Sequence, residues 1–304
     1  MTEIPSSVQV FAPAKINLCL HVTGRRDDGY HLIDTLVSFG PMGDRLRMVP
    51  ANTLSLTVEG PEAAGVPADM DNLVLKAAAL FGEPGVAMTL EKYLPAASGI
   101  GGGSADAAAA YRGMLARDDT QSKALAGASA AAMRAEAQKL LGLGADVPMC
   151  LLSAPLRARG IGERIEAVAL PDLAAVLINP RVPVATPEVF RTLAQRDNEP
   201  LPDVLPDFAD AAALTGWLAS QRNDLEAPAC ALQPVISEVL QALGRQSGCT
   251  LARMSGSGAT CFGLFEDAAA AQVAAGRLYE VHPDWWVAGG VLGDQSELAA
   301  PRLS

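Results

Sequence analysis

Apolar and polar residues alternate from Val8 to Val22 with the two-residue period of a β-strand, interrupted at Pro13. In the second half of that stretch Ala14, Ile16, Leu18, Leu20 and Val22 share one face. Lys15, Asn17, Cys19 and His21 share the other. The polar turn Gly24-Arg25-Arg26-Asp27-Asp28-Gly29 follows, and Tyr30 to Phe39 reads as a second extended segment. Leu46 to Val49 and Leu54 to Val58 form a further pair of short strands, parted by Pro50 and Asn52. The period turns helical over Asn72 to Phe81, and Val86 to Leu90 is a strand that runs into a glycine-rich loop.

That loop, Leu94 to Asp106, carries Gly99, Gly101, Gly102 and Gly103 and feeds the alanine run Ala107 to Ala110. Alanine is the best helix former, and Ser104 or Asp106 suits a helix cap. Ser122 to Leu141 reads as a packed alanine-rich helix that ends at Gly142 and Gly144, and Ala145-Asp146-Val147-Pro148 opens a new element. A second unit is expected from residue 156, dividing the chain into domains 1–155 and 156–304. Arg157 to Leu170 and Ala174 to Ile178 are strand-like, a helix opens at Thr186-Pro187-Glu188, and Glu199 to Asp210 is a surface connection. Helix Val235 to Leu243, strand Cys249 to Met254, strand Thr260 to Phe265, helix Ala268 to Leu278 and strand Trp286 to Val291 then follow. This helix–strand–strand–helix–strand run is ferredoxin-like, a sheet with helices on one face.

Composition narrows the function classes. With 304 residues, half of them apolar, the chain can bury a large core. A net charge of −11 disfavours nucleic acid and anionic membranes as partners. An anionic ligand would need a local positive site. Met1 to Gln9 lacks the pattern of a secretory signal, and no apolar run is long enough to span a bilayer. The cysteines, Cys19, Cys150, Cys230, Cys249 and Cys261, are dispersed and odd in number, which favours free thiols and a cytoplasmic location.

The glycine loop entering a helix offers unpaired N–H groups and the positive end of a dipole, as phosphate binding requires. It lacks the Lys-Ser or Lys-Thr of a Walker loop, and Ser104 stands where a dinucleotide fingerprint has its third glycine. A flexible strand-to-helix turn is the plainer alternative. Lys15 suits a solvated strand lysine as well as a catalytic ammonium, and Asp146 suits an N-cap before Pro148 as well as a catalytic carboxylate. Together, loop, ammonium and carboxylate are the parts that move a phosphoryl group to an alcohol. Ser255-Gly256-Ser257-Gly258-Ala259-Thr260 is a second loop of backbone donors and hydroxyls, or a hairpin turn. Tyr30, His31 and Phe190 are candidates for holding a planar group, although Phe190 alone also fits a core position.

Pro13-Ala14-Lys15-Ile16-Asn17-Leu18, the loop Pro95 to Ala105 and the loop Ser255 to Thr260 resemble the three motifs of the GHMP kinases, which include galactokinase, homoserine kinase and mevalonate kinase. Gly29-Tyr30-His31, Asp71-Asn72-Leu73, Gly144 to Pro148, Gly160 to Glu163, Thr186 to Phe190 and Arg222 to Leu225 resemble one branch of that superfamily. Its substrate is a cytidine-diphosphate-linked methylerythritol of the non-mevalonate isoprenoid pathway, phosphorylated by ATP on the 2-hydroxyl. The resemblance implies an α+β, two-domain GHMP kinase fold, with an N-terminal domain like ribosomal protein S5 domain 2 and a ferredoxin-like C-terminal domain. The active site is expected between them. Carried over by position, Asp146 is the general base and Lys15 orients the reacting groups and stabilises charge. Asn72, Lys92, Pro95, Ala96, Ala97, Ser98, Gly99, Ile100, Gly101, Gly102, Gly103, Ser104 and Ala105 would hold ATP. Asn17, Tyr30, His31, Thr186 and Phe190 would hold the substrate, His31 reading the cytosine while Tyr30 and Phe190 flank it. Mg²⁺ is expected, held mainly by phosphates and water with Ser104 as a candidate ligand. The rival readings are a homoserine- or mevalonate-type kinase and a non-catalytic ligand sensor on the same fold.

Overall fold

The computed structural model describes residues 7–82, 85–96, 98–117 and 135–304. Strands β1 (Val8–Arg25) and β2 (His31–Pro50) form a long antiparallel hairpin at the centre of the first sheet. Pro13 does not end the first strand. It sits at a register shift between Pro13 and Ala14, which absorbs the missing N–H donor as a bulge. The two segments expected between Tyr30 and Val49 are likewise one strand. Its last residues, Arg45 to Pro50, pair with β4 (Val86–Glu91), and Ile33 to Val37 pair with β5 (Leu156–Gly160). β3 (Ser55–Glu59) lies parallel to β4 and reaches it through helix α1 (Leu73–Ala79). β6 (Arg164–Ala167) extends the sheet beyond β5, and β11 (Arg302–Leu303) pairs with the start of β1.

A division at residue 156 would cut β5 and β6 away from the sheet to which they are bonded. By strand pairing the second sheet starts later, at β7 (Leu173–Asn179). With β8 (Cys249–Met254), β9 (Cys261–Phe265) and β10 (Trp286–Leu292), it has the antiparallel order β10-β7-β9-β8. In chain order that is fourth, first, third, second, the arrangement of the expected ferredoxin-like unit.

Helices α1, α2 (Gly102–Arg117) and α3 (Val147–Leu152) cover one face of the first sheet in a shared core. Most of the helix expected over Ser122 to Leu141 lies outside the described residues, as does Ala97 of the glycine loop. Beyond the short helix α4 (Thr186–Arg191), the chain forms α5 (Ala211–Ala219) and α6 (Glu226–Leu232), which the sequence pattern did not reveal. Asp210 caps α5 by accepting from the Ala213 N–H at 2.8 Å. Helices α7 (Val235–Gly244) and α8 (Ala268–Val281) pack on one face of the second sheet.

Strand alternation sorts the two faces of β7. Val176 and Ile178 meet the helices, while Leu173, Ala175 and Leu177 face the other way. There they join Phe262 and Leu264 of β9 and Ala14, Ile16, Leu18 and Leu36 of the first sheet. This cluster fuses the two units beneath β1. Past a second register shift, between Asn17 and Cys19, Leu20 and Val22 pack with the second unit's helices rather than with Ile16. The opposite face of β1, with Lys15 and Asn17, is left to the cleft.

Ile16 is fully buried in that cluster. Ile16→Ala should therefore cost about 2–5 kcal/mol, through lost transfer energy and a residual cavity. Urea unfolding measures it, and a loss below about 1 kcal/mol would mean that the two sheets are not fused through β1.

Candidate active site

β1 brings Lys15 to the floor of a cleft of about 1050 Å³ between the two units. The lysine is buried, and its Nζ donates to Asn17 Oδ1 and to Asp146 Oδ2, each at 2.9 Å. Asn17 Nδ2 donates in turn to Thr35 Oγ1 at 2.8 Å, and that hydroxyl donates to the Cys19 carbonyl at 2.6 Å. The side chain that sequence reading left open as solvated is thus a buried cation with fixed partners. Asp146 has helical backbone angles and makes no side-chain cap, so its carboxylate serves the lysine and not the helix end.

The glycine loop crosses directly above this pair. Lys15 N–H donates to the Ile100 carbonyl at 3.0 Å, locking loop to strand. Gly99 and Gly101 both have positive φ, and a Cβ on Gly99 would lie 2.6 Å from the Ser255 carbonyl oxygen and 2.8 Å from the Gly258 nitrogen. Only glycine lets the two loops approach so closely. Helix α2 begins at Gly102, and the Ala105 N–H is the one that returns to the Gly101 carbonyl at 2.7 Å. The N–H groups of the first turn before it have no partner within the helix, which makes this end a cradle for an anion.

The second glycine loop is held as firmly. Ser255 Oγ accepts from the Asn17 N–H at 3.0 Å and donates to the Gly99 carbonyl at 3.1 Å. Asn223 Nδ2 donates to the carbonyls of Met254 and Gly256, both at 2.8 Å. Thr186 and Ser257 share a hydrogen bond of 2.7 Å between their hydroxyls. Thr35 and Ser255 were not among the expected site residues, and neither was Asn223. The last two do lie in stretches that the motif comparison marks, whereas nothing in the sequence marks Thr35.

At the far end of the cleft the rings of His31 and Phe190 stack, with centroids 4.6 Å apart and planes at 18°. Burial lowers the His31 pKa, and Arg25 and Arg196 push it the same way, so the imidazole is neutral at pH 7. Its Nε2 is buried without a partner among the described residues. Tyr30 stands exposed at the mouth, and Arg25, Arg191 and Arg196 line the same end.

The cleft thus gathers Lys15, Asn17, Tyr30, His31, Asp146, Thr186 and Phe190, with Ser98, Gly99 and Gly101 to Ser104. Other expected nucleotide residues do not line it. Asn72 caps α1, accepting from the Val74 N–H at 2.9 Å and donating to the Pro67 carbonyl at 2.6 Å. Pro95 and Ala96 stand back from the cleft wall, and the Ile100 and Ala105 side chains are in the core. Lys92 lies behind the loop, bonded to Asp44 and, at 2.7 Å, to Asp106. Asp44 also accepts from the N–H groups of Tyr93 and Leu94, at 2.6 and 2.9 Å. Asp44 and Lys92 therefore clamp the loop's entry, and Asp106 holds its exit. Burial pulls the Lys92 pKa down, but Asp106 and Asp44 outweigh it and leave it raised. For Asp106 burial dominates, pushing its carboxyl up to about 8.

Comparison with known proteins agrees with this geometry. Residues 72–154 match the family described as GHMP kinases N terminal domain, and residues 204–284 match GHMP kinases C terminal. The 4-diphosphocytidyl-2-C-methyl-D-erythritol kinase of Roseobacter denitrificans is 54% identical, covering 99% of both chains. The enzyme of that name from Dinoroseobacter shibae is 56% identical, over 93% of this chain and 94% of its own. Among solved structures, a 4-(cytidine 5'-diphospho)-2C-methyl-D-erythritol kinase superposes with a TM-score of 0.68 at 35% identity, covering 94% of this chain and 99% of its own. Homoserine kinase from Cytophaga hutchinsonii, at 0.66 and 19% identity over 100% and 99%, shares the fold.

The raised Asp106 pKa has a consequence for stability. The folded chain holds a proton that the unfolded chain releases in the ordinary carboxylate range. The contribution is full below that range and is lost as pH rises toward 8. Denaturant melts at about pH 5.5, 7 and 8.5 should show falling stability across this window, with the slope reduced in Asp106→Asn. An unchanged slope in the variant would contradict a protonated Asp106.

Proposed function

The chain belongs to the GHMP kinase family, within the branch of the 4-diphosphocytidyl-2-C-methyl-D-erythritol kinases, and from that premise we propose that it transfers the γ-phosphoryl group of ATP to the 2-hydroxyl of 4-diphosphocytidyl-2-C-methyl-D-erythritol. The observation that carries the reading is the Lys15–Asp146 pair, 2.9 Å apart in the cleft that the phosphate loop also lines. Asp146 Oδ2 takes the lysine, which leaves Oδ1 to receive the hydroxyl proton. The freed oxygen forms its bond to the γ-phosphorus while the bond from that phosphorus to the β–γ bridging oxygen breaks. The departing ADP takes up the charge. Lys15, held in place by Asn17, meets the negative charge on the transferred group, and the N–H groups of the loop and the first turn of α2 hold the remaining phosphate oxygens.

Mg²⁺ would neutralise phosphate charge in this reaction. Among the described residues no cluster of three His, Cys, Asp or Glu side chains is present to hold an ion, so the fit is to a metal carried by the ATP phosphates. Ser104 at the head of α2 is the hydroxyl we assign to it. Lys92 serves ATP through the loop it clamps, and Asn72 does so through the helix it caps.

At the other end, the Phe190 ring and the unpartnered His31 Nε2 suit a planar base with a polar edge, and Arg25, Arg191 and Arg196 suit a diphosphate. Homoserine and mevalonate offer neither. Both Lys15 and Asp146 are present, which favours a catalyst over a sensor. No helix among the described residues is long and apolar enough to cross a membrane, and the cysteines are free. We place the enzyme in the cytoplasm.

ATP-dependent phosphorylation of the cytidine-linked substrate, homoserine and mevalonate, measured side by side, tests the assignment. Only the first should be turned over efficiently. Preference for either of the others would overturn the substrate, and ATP binding without transfer would favour a sensor. Phe190→Ala should raise KM for the cytidine-linked substrate about 5- to 100-fold, the equivalent of one lost base–aromatic stack, with KM for ATP nearly unchanged. Equal damage to both constants would remove Phe190 from the base site.

A further inference from the structure

Arg112 lies on α2, ten residues beyond the helix start, and takes no part in the mechanism above. It is 9% exposed, and no carboxylate pairs with it among the described residues. A buried guanidinium without a counter-ion is costly unless its N–H groups are used. Nη1 donates to the carbonyls of Cys150 at 2.8 Å and Leu151 at 3.3 Å, with Ser153 Oγ at 3.4 Å. Nη2 donates to the Phe11 carbonyl at 3.0 Å. Burial lowers its pKa to about 10, still leaving it cationic at pH 7.

Those acceptors belong to two elements of the site. Cys150 and Leu151 lie in the last turn of α3, where carbonyls without a partner within the helix and the negative end of the helix dipole favour a cation. Asp146 stands at the other end of the same helix, and its carbonyl accepts from the Cys150 N–H at 3.0 Å. Arg112 and Asp146 are therefore tied to the same residue: the guanidinium holds the Cys150 carbonyl, and the Cys150 N–H holds the Asp146 carbonyl. Phe11 lies four residues before Lys15 on β1. The arginine itself rides on the helix whose N-terminus forms the phosphate cradle.

We propose that Arg112 is a positioning residue for phosphoryl transfer, pinning β1, α2 and α3 at one point so that Lys15, the phosphate loop and Asp146 keep their relative places. The proposal rests on the kinase reading. It assigns Arg112 no contact with either substrate, so its loss should appear in kcat and not in KM.

Arg112→Lys keeps the charge but not the fork. It should lower kcat about 10- to 100-fold, as a misplacement of the order of an ångström does, with both KM values within about threefold of wild type. Ser153→Ala loosens the same joint more gently and should lower kcat about two- to fivefold. It carries the test if Arg112→Lys fails to fold. In an Asp146→Asn background, adding Arg112→Lys should lower the single-turnover rate by a clearly smaller factor than it does in the wild type, because one of the three positioned groups is already gone. Melting temperatures on the same preparations separate positioning from general support. Unchanged kcat in both variants with only a lower melting temperature would overturn the proposal, and so would an undiminished loss in the Asp146→Asn background. Failure of the wild type to phosphorylate the cytidine-linked substrate would instead strike the kinase reading.

Discussion

The ion pair between Lys15 and Asp146 is the interaction on which the rest of the site depends. Lys15 is almost fully buried, and a buried ammonium must be matched by partners or it costs several kcal/mol, on the order of the desolvation of an ion. Asn17 and Asp146 supply the match, but they come from different ends of the first unit, 131 positions apart in the latter case. The requirement fixes where α3 meets β1, and β1 is itself fixed from below by Ile16 and its neighbours in the fused core. The charge pair is thus possible because an apolar interface holds the strand that carries it.

Both glycine loops are organised by the same strand. The Lys15 N–H binds the first loop at Ile100, and the Asn17 N–H binds the second at Ser255. The loops then touch at Gly99, where any side chain would collide with backbone. Behind the first loop, Lys92 joins Asp44 to Asp106 in a buried polar triad. Such triads add little net stability but fix geometry, and here the geometry fixed is the spacing between a loop's entry and its exit.

Most of the elements were legible in the sequence because their periods are regular. The alternation in β1 and the order of the ferredoxin-like unit needed no tertiary information. The site's chemistry was legible to the extent that motif residues face the cleft. Lys15, Asp146 and the glycines from 99 to 103 do so. Lys92 and Asn72 share the motif neighbourhood but do not line the cleft, their polar atoms being held by a buried acid pair and by a helix end. Sequence spacing does not tell a residue that binds a ligand from one that supports the loop that binds it. The interruption at Pro13 is a bulge, through which the strand continues. The membership of β5 in the first sheet was not legible, because β5 follows a helix in sequence yet returns to pair with β2. The roles of Thr35 and Arg112 exist only in three dimensions.

The direct test of the account is whether Lys15 and Asp146 act as one unit in the transfer step. Lys15→Met, Asp146→Asn and the double variant should be compared in single-turnover phosphorylation, with ATP binding measured on each. Each single change should lower the rate about 10²- to 10⁴-fold while leaving ATP bound, and the double variant should be no more than about tenfold slower than the slower single. Losses that multiply in the double variant, or near-normal turnover in Asp146→Asn, would contradict it.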